Sequence, residues 1–339
     1  MQRITAFALL LLAFFGGLAQ AADFTDSLGR TVTLPDRIGR VLPAGPPAAV
    51  AIYTVAPEKM IGWVRPLTED QKPFIAEPYR TLPVAGRLTG KEADIGAAEV
   101  KALKPDLIID VGDLKPQYRE RADKIQNETG IPYVVLDGSI AAMPQLYTQL
   151  SLLLDGGLRG DLLSIQTASM LATVAARKGG ALRPGRIYYA QSRDGPEPMN
   201  MSRMTGIDPT ILQTLDAVSF NGEHGASGHG NVTPSQIADY NPDVVIATTS
   251  DLARQLATDP AWRKVPAIAA GKIYVVPSLP WGWLGTPPGV NRLIGLEWLS
   301  TLLYPEVPKH DLHAAARDYY HSYYQIDLTD AQVQTLLAP

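Results

Sequence analysis

The chain has 339 residues, with 30 basic and 34 acidic side chains, a formal net charge of −4 and no cysteine. A slightly acidic chain without a basic stripe argues against a general nucleic-acid binder. The lack of cysteine removes thiol nucleophiles and disulfide scaffolds from consideration. The sequence also contains no G-x-S-x-G, P-loop or H-E-x-x-H motif, so we expect a protein that is not an enzyme.

The first 21 residues have the pattern of a secretory signal peptide. A short basic start precedes an apolar run that ends in the small-residue site Ala19-Gln20-Ala21. We expect cleavage before Ala22 and export to the periplasm. No cysteine follows the site, as a lipid anchor would require, and no later run of about 18 apolar residues predicts a membrane span. The mature chain is therefore expected to be soluble.

Short apolar runs rich in β-branched residues recur along the rest of the chain, each bounded by Pro, Gly or Asp. Near-continuous apolar runs of this length predict strands buried on both faces. The runs are RVLPAG (40–45), MIGWV (60–64), DLIIDVG (106–112), PYVVLDG (132–138), RIYYAQS (186–192), DVVIATTS (243–250) and KIYVVPS (272–278). Segments with helical spacing lie between them, such as 97–104 and 119–130. This alternation predicts an α/β protein with mainly parallel sheets.

One arrangement of residues occurs twice. Residues 97–113 and 234–251 each contain a short amphipathic helix, a Pro-Asp pair, an apolar strand and a loop that ends in Asp. A proline disfavours the α conformation of the residue before it, so Pro105 and Pro242 are expected to end the two helices. The repetition predicts two similar lobes.

A long helix is predicted between the two copies. Residues 160–178 contain no proline and no internal glycine, and Gly179-Gly180 supplies a stop. A helix of this length can cross from one lobe to the other. We therefore expect an N-terminal α/β lobe over 22–150, an inter-lobe helix within 151–180 and a C-terminal α/β lobe over 181–339.

Several of these segments together resemble a known family. The stretches DSLGRTVTLPDRIGRVL, IGW, LKPDLII, YNPDVVI and GKIYVVP, in this order, are similar to the periplasmic substrate-binding proteins of iron-complex and vitamin B12 ABC importers. The resemblance covers nearly the whole mature chain. It implies two lobes joined by one rigid helix, a ligand held in the cleft between them, and docking of both lobes onto a permease dimer in the inner membrane.

The chain departs from this family at the residues expected to dock on the permease. Family members carry a Glu near the start of each helix that precedes the Pro-Asp pair, where it contacts permease arginines. Ala98 and Ser235 occupy these positions here, and Glu99 follows one residue later in the first copy. The resemblance therefore implies Glu99 as the docking acid of the first lobe.

Aromatic residues lie on loops where a ligand is expected. In an open α/β sheet, ligands bind beyond the carboxyl ends of the strands. Trp63 follows one predicted strand, and PWGWLGTPPG, with Trp281 and Trp283, follows another. Proline and glycine fix the backbone of such a loop, and flat rings suit a large, partly apolar ligand. We expect Trp63 and at least one of the paired tryptophans to line the cleft. Alternatively, both rings of the pair pack in the core of the lobe.

Three arginines occupy similar positions. Arg65, Arg87 and Arg193 each lie on a strand-end loop beside Gly or Pro. A guanidinium group offers paired donors in one plane, which suits carboxylates, oxyanions and catecholate or hydroxamate oxygens. We expect at least one of the three to reach the ligand.

Two histidines are candidate metal ligands. His224 and His229 flank GASG, so a glycine-rich backbone could bring both imidazoles to one metal, with Asp194, Glu197 or Glu223 as acidic partners. Alternatively, a single histidine completes the coordination of a metal that a chelator already holds. Two further groups are expected to have other roles: His310, His313 and His321 at the surface, and Tyr319, Tyr320, Tyr323 and Tyr324 in core packing or lobe anchoring.

These observations predict a periplasmic receptor that captures a metal complex, above all an iron–siderophore, and delivers it to an ABC permease. We expect no intrinsic cofactor, an iron chelate as ligand and a monomeric protein. Haem, cobalamin, a bare metal ion and an oxyanion such as molybdate remain open as ligands. Two other classes also remain open: an exported metal-dependent α/β hydrolase using His224 and His229, and a signalling or scaffold protein that has lost transport.

Overall fold

The computed structural model describes residues 22–90, 93–112, 114–190, 202–203, 207–220, 229–230, 232–285, 287–305 and 311–337. The strands are β1 Asp23–Thr25, β2 Thr31–Thr33, β3 Val41–Pro43, β4 Leu107–Gly112, β5 Tyr133–Asp137, β6 Gly185–Ala190, β7 Ser202–Arg203, β8 Ala217–Ser219, β9 His229–Gly230, β10 Val244–Ala247 and β11 Ile273–Val275.

The helices are α1 Pro46–Val55, α2 Ala97–Leu103, α3 Pro116–Thr129, α4 Met143–Leu153, α5 Gly157–Gly179, α6 Pro209–Leu215, α7 Pro234–Tyr240, α8 Ser250–Thr258, α9 Pro266–Ala269, α10 Arg292–Leu303, α11 Leu312–Tyr319 and α12 Asp330–Leu337. A π-helical turn, Tyr320–Tyr324, follows α11. Among the described residues, no helix combines the length and the apolar character needed to span a bilayer.

Two parallel sheets form the centres of the two lobes. The first has the strand order β3-β4-β5 and the second the order β11-β10-β6-β8. Two antiparallel pairs, β1-β2 and β7-β9, lie outside them. The predicted α/β class with mainly parallel sheets is confirmed. The predicted strand over 60–64 is wrong, because this segment makes only isolated bridges through Met60 and Trp63.

The repeated Pro-Asp pair has the same structural role in both lobes. Asp106 donates its backbone N–H to Arg40 O and accepts the N–H of Arg40 on its carboxylate, both at 2.8 Å. Asp243 makes the same two hydrogen bonds with Arg186, also at 2.8 Å. Each aspartate therefore joins the end of a helix to the start of the neighbouring strand, which sets the strand register.

The lobes are connected by α5 and by the end of the chain. α5 packs against α1 and α4 at one side and against α6 and α10 at the other. The chain then returns to the first lobe, where Tyr53 donates to Tyr324 O at 2.8 Å and Gln332 donates to Pro73 O at 3.2 Å. One hydrophobic core includes inner residues of both sheets, such as Ile109 and Ile246.

Four tyrosines of the C-terminal segment fill the centre of this core. Tyr319, Tyr320, Tyr323 and Tyr324 are all buried, and the rings of Tyr319 and Tyr323 stack at 4.5 Å between centroids. The π-helical turn adds a residue to the turn, which lets neighbouring positions point inward together. These rings pack the core and anchor the two lobes to each other, and the adjacent Trp281 connects them to the cleft.

Candidate ligand-binding cleft

A cavity at the carboxyl ends of the strands brings together several predicted site residues. We call it the aromatic–arginine pocket; its volume is about 370 Å³. Its lining includes Trp63, Arg65, Arg87 and Trp281. These come from separate loops of the two lobes, so the pocket exists only in the folded chain. The remaining lining residues are Pro46, Ala49, Val50, Val64, Pro66, Leu67, Gln71, Pro287 and Pro288.

The two tryptophans of this pocket form its aromatic wall. The ring centroids of Trp63 and Trp281 lie 5.5 Å apart with an interplanar angle of 44°. Trp63 donates its indole N–H to Tyr79 O at 2.8 Å, so its polar atom is already paired. Behind the wall, Tyr53 lies 5.4 Å from Trp63 and Tyr324 lies 5.9 Å from Trp281. Trp281 therefore offers ring surface to the pocket, while Trp63 is only 2 % exposed and packs behind it as part of the core.

Arg65 and Arg87 are placed side by side by the backbone and by Asp94. Trp63 and Val84 form an isolated parallel bridge, so the loops that follow them run side by side. The Arg65 guanidinium donates to the Asp94 carboxylate, and the backbone N–H of Arg87 donates to the other carboxylate oxygen at 2.7 Å. The Arg87 N–H and then the Arg65 group lower the pKa of Asp94 below its usual value. A stable carboxylate thus fixes both arginine loops.

Gly90 makes room for the Arg87 side chain. Its φ of +85° is unfavourable for other residues, and a Cβ here would lie 2.2 Å from the Arg87 guanidinium. Arg87 also donates through Nε to Thr89 O, while Arg65 keeps 40 % of its side chain exposed. The pocket therefore carries two anchored cations whose planar donor groups lie at its edge.

Trp283 corrects one sequence-based expectation. It is 1 % exposed and donates its indole N–H to the Tyr320 hydroxyl at 3.2 Å. It lies in the core, under α10, and does not line the aromatic–arginine pocket. Of the paired tryptophans, only half-buried Trp281 lies at the cleft.

A second cavity, of about 570 Å³, adjoins the first and shares Pro288 with it. We call it the polar pocket. Its lining consists of Pro47, Val111, Gly112, Lys115, Tyr118, Gly138, Ser139, Ile207, Asp208, Pro209, Thr210, Gly285, Pro288 and Arg292. The two pockets form one cleft between the lobes.

Arg292 crosses the cleft and was missed by sequence reasoning. Its guanidinium donates to Asp208 at 2.7 Å in its own lobe and to Gly138 O of the first lobe. Burial alone would raise the pKa of Asp208, but hydrogen bonds from Thr210 and the charge of Arg292 outweigh it, so the pKa is lowered. A lone basic residue at the start of the apolar helix RLIGLEWLSTLL was the available signal.

Several predicted residues fall outside the described residues. These are Arg193, His224, Asp194, Glu197, Glu223 and His310, and for His229 only the backbone in β9 is described. Within the described part of the chain, no group of three or more His, Asp or Glu side chains could hold a metal ion. The histidine metal site therefore stays a prediction.

The predicted docking acid is exposed and caps a helix. Glu99 folds back and accepts the Gly96 N–H at 2.9 Å, and this hydrogen bond lowers its pKa. In the second lobe, Gln236 makes the same contact with the N–H of Thr233 at 2.8 Å. Gln236, rather than Ser235, is thus the structural counterpart of Glu99, and it carries no charge.

Known proteins resemble the chain in one segment of sequence and in overall fold. The Periplasmic binding protein family matches residues 168–279. An ABC transporter solute-binding protein from Sulfurospirillum deleyianum is 21 % identical with a TM-score of 0.78, over 94 % of this chain and 99 % of its own. A periplasmic solute-binding protein from Veillonella parvula is 18 % identical with a TM-score of 0.72, over 93 % and 96 %.

The Haemophilus influenzae molybdate periplasmic binding protein, bound to molybdate, is 20 % identical with a TM-score of 0.64, over 91 % of this chain and 99 % of its own. No curated protein matches the sequence. The family and these similar structures are solute-binding proteins and not enzymes. The sequence match is confined to residues 168–279, and the shared fold, which extends over nearly the whole chain, is that of these solute-binding proteins.

Proposed function

We propose that the chain is a periplasmic binding protein that captures a metal chelate with anionic oxygen groups, an iron–siderophore above all, and delivers it to an ABC permease. The observation that carries the proposal is the meeting of Trp281, which is backed by buried Trp63, with Arg65 and Arg87 in one pocket. Aromatic rings suit the flat apolar part of a chelator, and guanidinium groups suit its catecholate or hydroxamate oxygens.

The size of the cleft supports a ligand of this class. A pocket of about 370 Å³ lies in the range that binds compact organic ligands. A tetrahedral oxyanion such as molybdate would occupy only a small part of it. The polar pocket, with exposed Lys115 and half-buried Tyr118, can receive the remainder of a larger chelate.

Proteins of this fold bind chemically different ligands, so the fold alone does not identify the ligand. Besides the molybdate-binding protein, similar structures include a haem-binding protein from Roseiflexus and an iron-uptake system-binding protein from Bacillus subtilis. The identity of the ligand is therefore argued from the pocket residues of this chain. If the ligand were a bare metal ion instead, we propose His224 and His229 as its ligands.

We also propose that residues 1–21 direct export and that Glu99 contributes to permease docking. The first 21 residues lie outside the described part of the chain, and the pattern of their sequence supports this role. Glu99 lies exposed at the start of α2, where a carboxylate can meet a cationic partner surface. Since Gln236 replaces the acid in the second lobe, docking through acidic residues would be asymmetric.

The function is tested by a binding panel on residues 22–339. Thermal melting and tryptophan fluorescence are followed with ferric catecholate, ferric hydroxamate, haem, cobalamin, molybdate, Ni²⁺ and Zn²⁺. We expect saturable stabilisation by a ferric chelate, weakened in Arg65→Gln and Arg87→Gln but not in Arg254→Gln, an exposed arginine of α8 paired with Asp251. A response only to bare ions, lost in His224→Ala, would replace the siderophore proposal with a histidine metal site.

A further inference from the structure

The outward face of α5 is apolar and exposed. Leu158, Leu162 and Ile165 expose 74 %, 53 % and 67 % of their area, and Leu152 at the end of α4 exposes 71 %. A helix on the surface of a globular protein normally shows polar residues on this side. Within α5, Asp161 is the one charged residue in the exposed class. Apolar surface of this kind marks an interaction site.

The exposed residues follow the spacing of a helix–helix seam. The centre of the face consists of Leu158, Leu162, Ile165, Ser169, Ala172 and Ala176, all exposed and separated alternately by four and three residues. This is the a/d pattern of a coiled-coil seam. We call this set the α5 seam. It covers 18 residue steps, or roughly 27 Å of helix.

The sizes of the side chains match a second, antiparallel copy of the same helix. The first three seam residues are large and the last three are small. If two copies pair about a twofold axis level with position 167, residue 158 meets 176, residue 162 meets 172, and residue 165 meets 169. Each large side chain then faces a small one. This self-complementarity is what an isologous twofold interface requires.

We propose that the α5 seam is a homodimer interface and that its partner is a second copy of this chain, in place of the expected monomer. The face is poorly suited to a lipid surface, since membrane-bound amphipathic helices carry Lys and Arg beside their apolar stripe. It is also remote from the cleft. Arg159 in the first turn of α5 donates to Thr54 O at the last turn of α1, whereas Pro46 at the other end of α1 lines the pocket.

Dimerisation through α5 therefore leaves both clefts open to ligand. An interface built mainly from one helix face lies near the lower limit of stable interfaces, which bury at least about 1,000 Å². We expect a dimer that dissociates on dilution and whose two copies bind ligand independently.

Sedimentation velocity over a dilution series tests the proposal with residues 22–339. The native chain should shift from dimer to monomer on dilution, and Ile165→Glu should weaken association at least tenfold. Val218→Glu is the matched control, an exposed apolar residue on β8 that should leave association unchanged. A chain that is monomeric at every concentration, or an Ile165→Glu variant that dimerises normally, would overturn the proposal.

A size exchange tests the antiparallel register itself. Ala172→Leu places leucine opposite Leu162 in both pairs of the dimer, so it should weaken association. Adding Leu162→Ala restores one large and one small residue in each pair and should restore association. If the double variant associates no better than Ala172→Leu, the antiparallel seam is wrong. Thermal melting of each variant monitors the fold.

Discussion

Trp281 and Trp283 lie one residue apart and belong to two different regions of the molecule. Trp281 is half-buried in the wall of the cleft, against Trp63 and Tyr324. Trp283 is 1 % exposed in the core, where its indole N–H meets Tyr320. Within one loop, Trp283 therefore fixes the backbone in the core, and Trp281 presents its ring to the cleft.

Backbone contacts explain why Trp283 is held firmly in place. Trp283 donates its N–H to Pro277 O at 3.0 Å, and Leu284 accepts the N–H of Asp208 at 2.9 Å. Helix α10 packs directly on the same loop, because a Cβ on Gly295 would lie only 2.0 Å from Trp283 O. The loop is therefore held between α10 and the second sheet, while Trp281 projects from it.

The largest expected effect comes from removing the core ring. Trp283→Ala deletes a fully buried indole and leaves a cavity beside Tyr320, which costs roughly 3–5 kcal/mol of unfolding free energy. Urea denaturation followed by circular dichroism measures the loss. A change below about 1 kcal/mol would mean that the core refills the space and that Trp283 does not fix the loop.

The contact between α10 and the loop is tested by adding one methyl group. In an unhindered helix, a glycine-to-alanine change stabilises by about 1 kcal/mol. At position 295 the added methyl group would collide with Trp283 O, so Gly295→Ala should lower the unfolding free energy by roughly 2 kcal/mol. Gly179→Ala is the control, because a Cβ there meets no atom within 4 Å. Equal melting temperatures for the two variants would contradict the close approach.

Strand β4 also extends from the core to the cleft: Asp110 is buried, and Gly112 lines the polar pocket. Burial raises the pKa of Asp110 to about 6, despite a hydrogen bond from Tyr133 at 3.1 Å. The native state therefore binds a proton that the unfolded chain releases between about pH 4 and pH 6, and stability is lost as pH rises through this window.

Asp110→Asn should remove the loss of stability that the buried carboxylate causes. We expect the variant to be more stable than the native chain above pH 6, by an amount on the order of 2 kcal/mol, with the difference vanishing below about pH 4. Urea titrations of both proteins at pH 4, 6 and 8 measure the difference. A constant difference across this range would show that the carboxyl of Asp110 does not titrate there.

The smallest expected effect on stability comes from the cleft ring. Trp281→Ala removes a half-buried side chain from the surface of the tyrosine cluster, so the unfolding free energy should fall by about 1–2 kcal/mol, well below the loss in Trp283→Ala. The same urea experiment gives both values. If Trp281→Ala destabilised the chain as much as Trp283→Ala, the two residues would belong to one core.

The sequence predicted the parts of the fold that depend on local pattern. Apolar runs between turn residues marked β3, β4, β5, β6, β10 and β11, and the Pro-Asp pairs marked matching positions in the lobes. The segment 60–64 has the same pattern but lacks a continuous partner strand, which only tertiary structure shows. The return of the C-terminal tyrosines to the first lobe also depends on contacts distant in sequence.

The candidate site, too, was predicted only in the parts that depend on local sequence. Trp63, Arg65, Arg87 and Trp281 were predicted at strand-end loops, and the fold brings them into one pocket because those loops meet at one edge. Trp283 could not be separated from Trp281 by spacing, since an irregular loop has no fixed side-chain period. Arg292 was missed because its role depends on Gly138 in the opposite lobe. The ligand-binding roles of the four pocket residues stay predictions, as do those of Arg193, His224 and His229.

The central claim is that the aromatic–arginine pocket binds an oxygen-rich iron chelate. Isothermal titration calorimetry of residues 22–339 with a ferric catecholate siderophore, compared with Trp281→Ala, tests it most directly. We expect one ligand per chain and an affinity at least tenfold weaker in the variant, which corresponds to about 1.4 kcal/mol. Binding of equal affinity to both proteins, or no binding of any ferric chelate to the native chain, would contradict the account.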